Sequence, residues 1–168
     1  MRLYAAFIAL YLFSPLVAHA DDDELSRPTL RGLQGVGVLI ENLRFEFEQN
    51  GLTRSAIQTD VELKLRQAGI PVLSRDMLLQ SAGKPYLYVQ VSVCIASSDL
   101  SCAFHISVEL RQNARLERDP NIYSSVSTWS TLGLTGTVEK MNVRMVRDSV
   151  KDQVDQFINA YLAMNPKK

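Results

Sequence analysis

Two consecutive stretches of the chain alternate apolar and polar residues with a period of two, and they leave little choice of fold. In Tyr86–Cys94, Leu87, Val89, Val91 and Val93 fall on one side, and Tyr86, Tyr88, Gln90 and Ser92 on the other. Phe104, Ile106, Val108 and Leu110 repeat the pattern, with Ala103, His105, Ser107, Glu109 and Arg111 opposite. A period of two is that of a strand whose faces meet different surroundings. Two such strands in succession predict an antiparallel pair with one dry face, which other parts of the chain must cover. Ile122 to Leu132, rich in Ser, Thr, Val, Tyr and Trp, reads as a third strand of the meander, after a turn at Asp119-Pro120-Asn121.

Two segments of helical period can supply the cover. Thr53 is placed to cap a helix from Arg54 to Ala68, with Ile57, Val61, Leu65 and Ala68 on one stripe and Gly69 at its end. After Gly136, Thr137 opens a long helix expected to reach about Met164, with Val143, Val146, Val150, Val154, Phe157 and Tyr161 as its core stripe and Ile158 beside it. Ahead of the first helix, Val36, Val38 and Ile40 alternate within Leu33–Asn42, and Leu43, Phe45 and Phe47 continue the period. Ile70–Leu73 follows that helix as a short strand. Strand, helix and strand predict a parallel βαβ unit. The fold class is therefore α+β: a mixed sheet of about five strands, a parallel βαβ start followed by an antiparallel meander, covered on one face by two main helices. Residues 33–168 form a single domain in this reading.

The first residues carry a different signal. Arg2 is followed by an apolar run, Leu3 to Val17, broken only by Ser14 and Pro15, and then by Ala18-His19-Ala20. This is the pattern of a secretory signal peptide, with cleavage expected after Ala20. The run is shorter than the roughly 20 residues that span a bilayer as a helix. Residues 21–32, acidic and polar at their start, are expected to be a flexible leader. The expected location is periplasmic or secreted, with no transmembrane segment in the mature chain.

Charge and residue counts exclude several functions. The chain has 18 Lys and Arg against 18 Asp and Glu. Removal of residues 1–20 takes away Arg2 and no acid, so no basic excess remains to neutralise phosphates, and nucleic acid is not expected as a partner. Gly32, Gly35 and Gly37 precede and enter a strand, rather than standing between a strand and a helix as a dinucleotide site requires. No cofactor is expected. His105 is the one histidine left after cleavage, too few for a His-based zinc site. Along a strand Ser107 and Glu109 stand roughly 7 and 13 Å from it, so the glutamate is too far to orient the ring. Asp60 and Glu62 point to different sides of their helix. No catalytic residues are therefore assigned.

Cys94 and Cys102 flank the turn between the first two meander strands, and export permits a disulfide closing the loop Ile95–Ser101. Strand alternation sets Cys94 on the polar face and Cys102 on the apolar one, so the bond requires one of them to lie in irregular chain.

Pairing Val91 with Ile106 sets Tyr86 across from Arg111, and a three-residue turn then sets Arg111 across from Trp129. The polar face would carry Tyr86, Tyr88, His105, Arg111 and Trp129 as candidate partner-binding residues. The row Tyr86–Arg111–Trp129 has the aromatic-plus-arginine composition of interface anchors. It equally suits a cross-strand stack, and a one-residue slip would move Trp129 to the other face. The function expected is that of a non-catalytic exported protein binding another cell-envelope component through this face or a sheet edge. The alternatives are a small apolar or amphiphilic ligand held by Phe45, Phe47, Phe104 and Phe157, or a hydrolase using carboxylates and His105.

The order of elements, with "GIPVL" as the strand after the first helix, resembles the anticodon-binding-like α/β topology used by the amino-terminal domain of the translocation protein TolB and by several envelope lipoproteins. The stretches "GLTRSAIQTDVELKLRQAGIPVL" and "QFINAYLAMNPK" are similar to those of small uncharacterised exported bacterial proteins. The resemblance implies the fold and an envelope setting, but no site residue. The chain departs from the lipoproteins in having no cysteine near the cleavage site for lipid attachment.

Overall fold

A computed structural model describes residues 22–95 and 101–166. The expected signal peptide and the tip of the expected disulfide loop lie outside the described residues.

The sheet is mixed and has five strands. Strand β1 (Gly37–Ile40) runs parallel to β2 (Tyr86–Ile95), and β2 pairs antiparallel with β3 (Ser101–Leu116). The β2–β3 register has Tyr86 opposite Arg111 and Val91 opposite Ile106, as the alternation requires. Beyond β3 the track is shared. Strand β4 (Asp119–Ser130) pairs with the second half of β3, and β5 (Leu134–Glu139) pairs with its first half. The two lie end to end along one edge of β3. At their junction Thr131 N–H donates to the Val108 carbonyl at 2.9 Å, and the Thr131 hydroxyl accepts from Val108 N–H at 3.2 Å. Gly133 turns the chain there with a φ of +79°, which glycine adopts at low cost. A Cβ at this position would stand 2.8 Å from Cε1 of His105.

Among the described residues four α-helices accompany the sheet: α1 (Phe45–Glu48), α2 (Arg54–Gln67), α3 (Arg75–Gln80) and α4 (Val146–Met164). The Thr53 side chain caps α2 by accepting from Ala56 N–H at 3.2 Å. Helices α2 and α4 pack on each other and on the sheet's apolar face. Ile57, Val61 and Leu65 of α2, and Val146, Val150, Val154 and Phe157 of α4, are buried with Leu87, Val89, Ile106, Val108 and Leu110. Two ion pairs tie the helices together at their margins, Lys64–Asp155 at 2.6 Å and Arg147–Asp60 at 2.8 Å. Helix α3 sits on the other face at its β1 margin. There a Leu78 methyl comes within 2.9 Å of where a Gly37 Cβ would be.

Several expectations need correction. Ile70–Leu73 is not a full strand; its pairing is a single parallel bridge, Val36 to Val72. Phe45 and Phe47 lie in the short α1 rather than in a strand continuation, so Phe47 is buried while Phe45 is 70 % exposed. The long helix begins at Val146, eight residues later than a cap at Thr137 suggests, because Thr137 lies within β5 and a 3-10 segment (Lys140–Met145) intervenes. The hairpin turn is Glu117-Arg118, and Asp119 is already paired with Leu116. The Asp119-Pro120-Asn121 signal instead marks an irregularity in β4, where Asn121 N–H donates to the Asp119 carboxylate at 3.0 Å.

The leader from Asp22 onward is bound to the body. A 3-10 turn, Arg27–Leu30, buries Leu30 against the core. The Asn165 side chain at the end of α4 donates to the Leu30 carbonyl at 2.9 Å and accepts from Gly32 N–H at 2.7 Å. The Tyr161 hydroxyl donates to the Leu33 carbonyl at 2.8 Å. These long-range bonds satisfy main-chain groups that a free leader would leave to water.

Candidate functional site

The face of the sheet opposite α2 and α4 carries the polar half of each alternating strand. From β1 it receives Leu39, from β2 Tyr86, Tyr88, Gln90 and Ser92, and from β3 His105, Ser107, Glu109 and Arg111. Tyr86, Tyr88, His105 and Arg111 thus share the face on which the sequence places them.

Three of the four form one cluster. Arg111 sits over the Tyr88 ring, its Cζ 4.6 Å from the ring centroid, and its Nε donates to Glu109 Oε2 at 2.9 Å. The planar guanidinium suits both tasks, stacking through its face and donating through its edge. The Tyr86 hydroxyl stands 3.2 Å from Ser125 Oγ of β4. Burial raises the Tyr88 phenol above its ordinary pKa, and the Glu41 carboxylate beside it adds to the effect. The phenol stays protonated, its hydroxyl engaged with the Glu41 carboxylate at the β1 edge of the cluster. The whole group is half-buried, with Leu39 beside Tyr88 and 41 % exposed. Its guanidinium is held in place by the Tyr88 ring and the Glu109 carboxylate.

His105 stands apart from this cluster. Its Nδ1 is 3.1 Å from the Thr135 hydroxyl of β5, and its ring lies over Gly133. Those contacts fit a residue that seats the β4–β5 junction. The carboxylates weighed for acid–base chemistry are held by other partners: Asp60 by Arg147, Glu62 by Gln58 and Arg66, and Glu109 by Arg111.

Trp129 is not on this face. Strand β4 slips by one residue between Leu110 and Arg111, so that Trp129 opposes Leu110, and Ser127 opposes Arg111. A single extra residue in one strand inverts the facing of all that follows. Trp129 is accordingly buried in the core, edge-on to Phe157 with ring centroids 5.4 Å apart. Its indole N–H donates to Asp22 at 2.9 Å, and Asp22 also accepts from Arg27 at 2.7 and 2.9 Å. The expected row Tyr86–Arg111–Trp129 becomes Tyr86–Arg111–Ser127. Glu41 is a member of the cluster that sequence reasoning missed; Glu109 it placed on this face beside Arg111 without giving it a binding role.

No disulfide is seen among the described residues at the expected Cys94–Cys102 pair. Cys102 is a free, buried thiol. Regular pairing runs through both positions, with Cys94 opposite Ala103 and Ile95 opposite Cys102, so the parity conflict persists. Of the four phenylalanines proposed to hold an apolar ligand, Phe47 and Phe157 are core residues, Phe45 is exposed and the Phe104 ring lies against Gly136 of β5. Among the described residues no group of three or more His, Cys, Asp or Glu side chains is arranged to hold a metal ion. No helix among them is long and apolar enough to cross a membrane. No protein-family model matches the chain, and no curated protein matches it either.

Proposed function

We propose that this is an exported, non-catalytic protein that binds another cell-envelope component through the face of its sheet opposite α2 and α4. The observation that carries the reading is the Tyr86–Tyr88–Arg111–Glu109 cluster, ordered by its own contacts on a face that α2 and α4 leave bare. Arginine and tyrosine are the residues that most often dominate binding energy, especially where they are held rigidly. Their mutual stacking stabilises the sheet by only about 0.5–1 kcal/mol at such a half-exposed site, so local stability alone is a small return for this arrangement. Export is supported by the Arg2, Leu3–Val17 and Ala18-His19-Ala20 pattern, with cleavage after Ala20 and a periplasmic or secreted product.

The test is recovery of a defined partner from envelope extract by the mature protein, with identification of the captured species by mass spectrometry. Tyr88→Ala and Arg111→Ala should each reduce recovery of that species at least tenfold, whereas a substitution on exposed helix surface, Arg66→Ala, should leave it unchanged. Equal recovery by all variants would remove the face from the function.

A further inference from the structure

The geometry points to a second recognition element: the upper edge of β2 accepts an extended segment of a partner polypeptide as an added strand. Strand β1 pairs with β2 only as far as Ile40 opposite Val89. The last bond on that track is Glu41 N–H to the Val89 carbonyl, at 3.0 Å, after which the chain leaves the sheet plane. Strand β2 runs on to Ile95, still paired with β3 on its other side.

The direction of the free main-chain groups follows from the bonds already made. The carbonyls of Pro85 and Val89 point at the β1 track. Main-chain groups alternate sides along a strand, so those of Val91 and Val93 point the same way. Among the described residues no main-chain hydrogen bond reaches either of them from that side. Two donors and two acceptors at strand spacing are matched best by another extended main chain.

The edge is also walled. A groove of about 270 Å³ lies against it, bounded by Glu41–Arg44, Phe47 and Val91–Val93. Its volume falls below the roughly 300–1,000 Å³ usual for small-molecule sites. Phe47 gives it an apolar wall, and Glu41 and Arg44 set opposite charges at its rim, so it favours no net charge in its occupant. The recess argues against a second copy of this chain. Two edges that both lie behind walls cannot meet, whereas a free segment can enter. The outer edge of β4 is the natural comparison. It is broken by two register shifts and carries Pro120, the usual defences of an edge against pairing. The β2 edge at Val91–Val93 is regular and carries neither. The occupant is therefore a short, uncharged, extended segment of a partner, three to five residues long, bonded through its main chain. This goes beyond binding by the open face and can fail independently of it.

The probe is a library of linear peptides displayed on phage, selected on the mature protein, with the best sequence then made synthetically. The expected result is a peptide whose binding slows amide exchange at Val91 and Val93 at least tenfold and leaves Arg111 and Tyr88 signals in place. The same peptide N-methylated at the amides that face the edge should lose binding at least tenfold, because it can no longer donate. Val91→Pro, which removes one outward N–H and no β2–β3 bond, should lose it as well. If Val91→Pro does not fold, the N-methylated peptide on the wild-type protein decides. Selection of no binder, or binders unaffected by N-methylation, would overturn the proposal. So would protection of the same amides by protein concentration alone, which would give the edge to a second copy. Loss of partner capture in Arg111→Ala with peptide binding intact would separate this site from the open face.

Discussion

The two faces of the sheet are built from the same strands and differ in almost everything else. On the covered face Leu87, Val89, Ile106, Val108 and Leu110 are wholly buried beneath α2 and α4, with Trp129 wedged edge-on to Phe157. On the open face Tyr86, Tyr88, Glu109 and Arg111 hold one another in a half-buried cluster that touches no helix of the apolar layer. The first face gains by removing apolar area from water, at about 25 cal/mol per Å². The second makes charge-assisted and stacking contacts that contribute little net stability in so wet a setting. Stability is thus concentrated on one face, and the proposed binding role falls to the other.

The sharpest way to break this contrast is to put a charge on the covered side. Val150 is 1 % exposed, near the start of α4. Val150→Asp buries an unpaired carboxylate, and the domain is expected to lose more than about 4 kcal/mol and fail to give a cooperative thermal transition. A wild-type melting temperature would mean that α4 does not pack as described. Next in size is Trp129→Ala, with an expected loss of about 3–5 kcal/mol in denaturant titration. If Trp129 belonged to the binding face, that variant would keep its stability and lose its partner instead.

A smaller effect concerns the leader from Asp22 to Leu33, a strap held to the body by Trp129 and Tyr161. Asp22 accepts from the Trp129 indole and from Arg27, and the Arg27 bond is the largest influence holding its carboxyl below the ordinary value of 3.8. A lowered folded pKa means that this contribution is fully present above the unfolded value and is lost as pH falls through the folded one. Asp22→Asn should therefore reduce stability by about 1 kcal/mol at neutral pH, with the difference from wild type vanishing under strongly acid conditions. Trp129 fluorescence followed through the unfolding transition reads this directly. A difference that persists or grows in acid would contradict the role given to Asp22.

What was legible in the sequence follows the same division. The β2–β3 register and the α2 and α4 stripes could be read because burial on one side imposes a period on the residues. Tyr86, Tyr88 and Arg111 came out on one face for that reason. Trp129 did not, because the extra residue at Thr128 obeys no local pattern, and one residue is enough to invert a facing. Strand β5 was hidden by its composition. Leu134, Gly136 and Val138 do alternate with Thr135, Thr137 and Glu139, but a glycine on the apolar side masks the period and Thr137 imitates a helix cap. The strap was missed because its hold on the body comes from polar contacts distant in sequence, Asp22 with Trp129 and Asn165 with Leu30 and Gly32. Cys94 and Cys102 show the reverse: strand parity already opposed the bond that cysteine count and compartment favoured.

The separation of stability from recognition is tested most directly by one paired measurement on Tyr88→Ala/Arg111→Ala: its melting temperature and its recovery of the envelope partner, each beside wild type. The expected result is a loss of at most about 1–2 kcal/mol of stability with partner recovery abolished. A destabilisation as large as that of Trp129→Ala, or undiminished recovery of the partner, would contradict it.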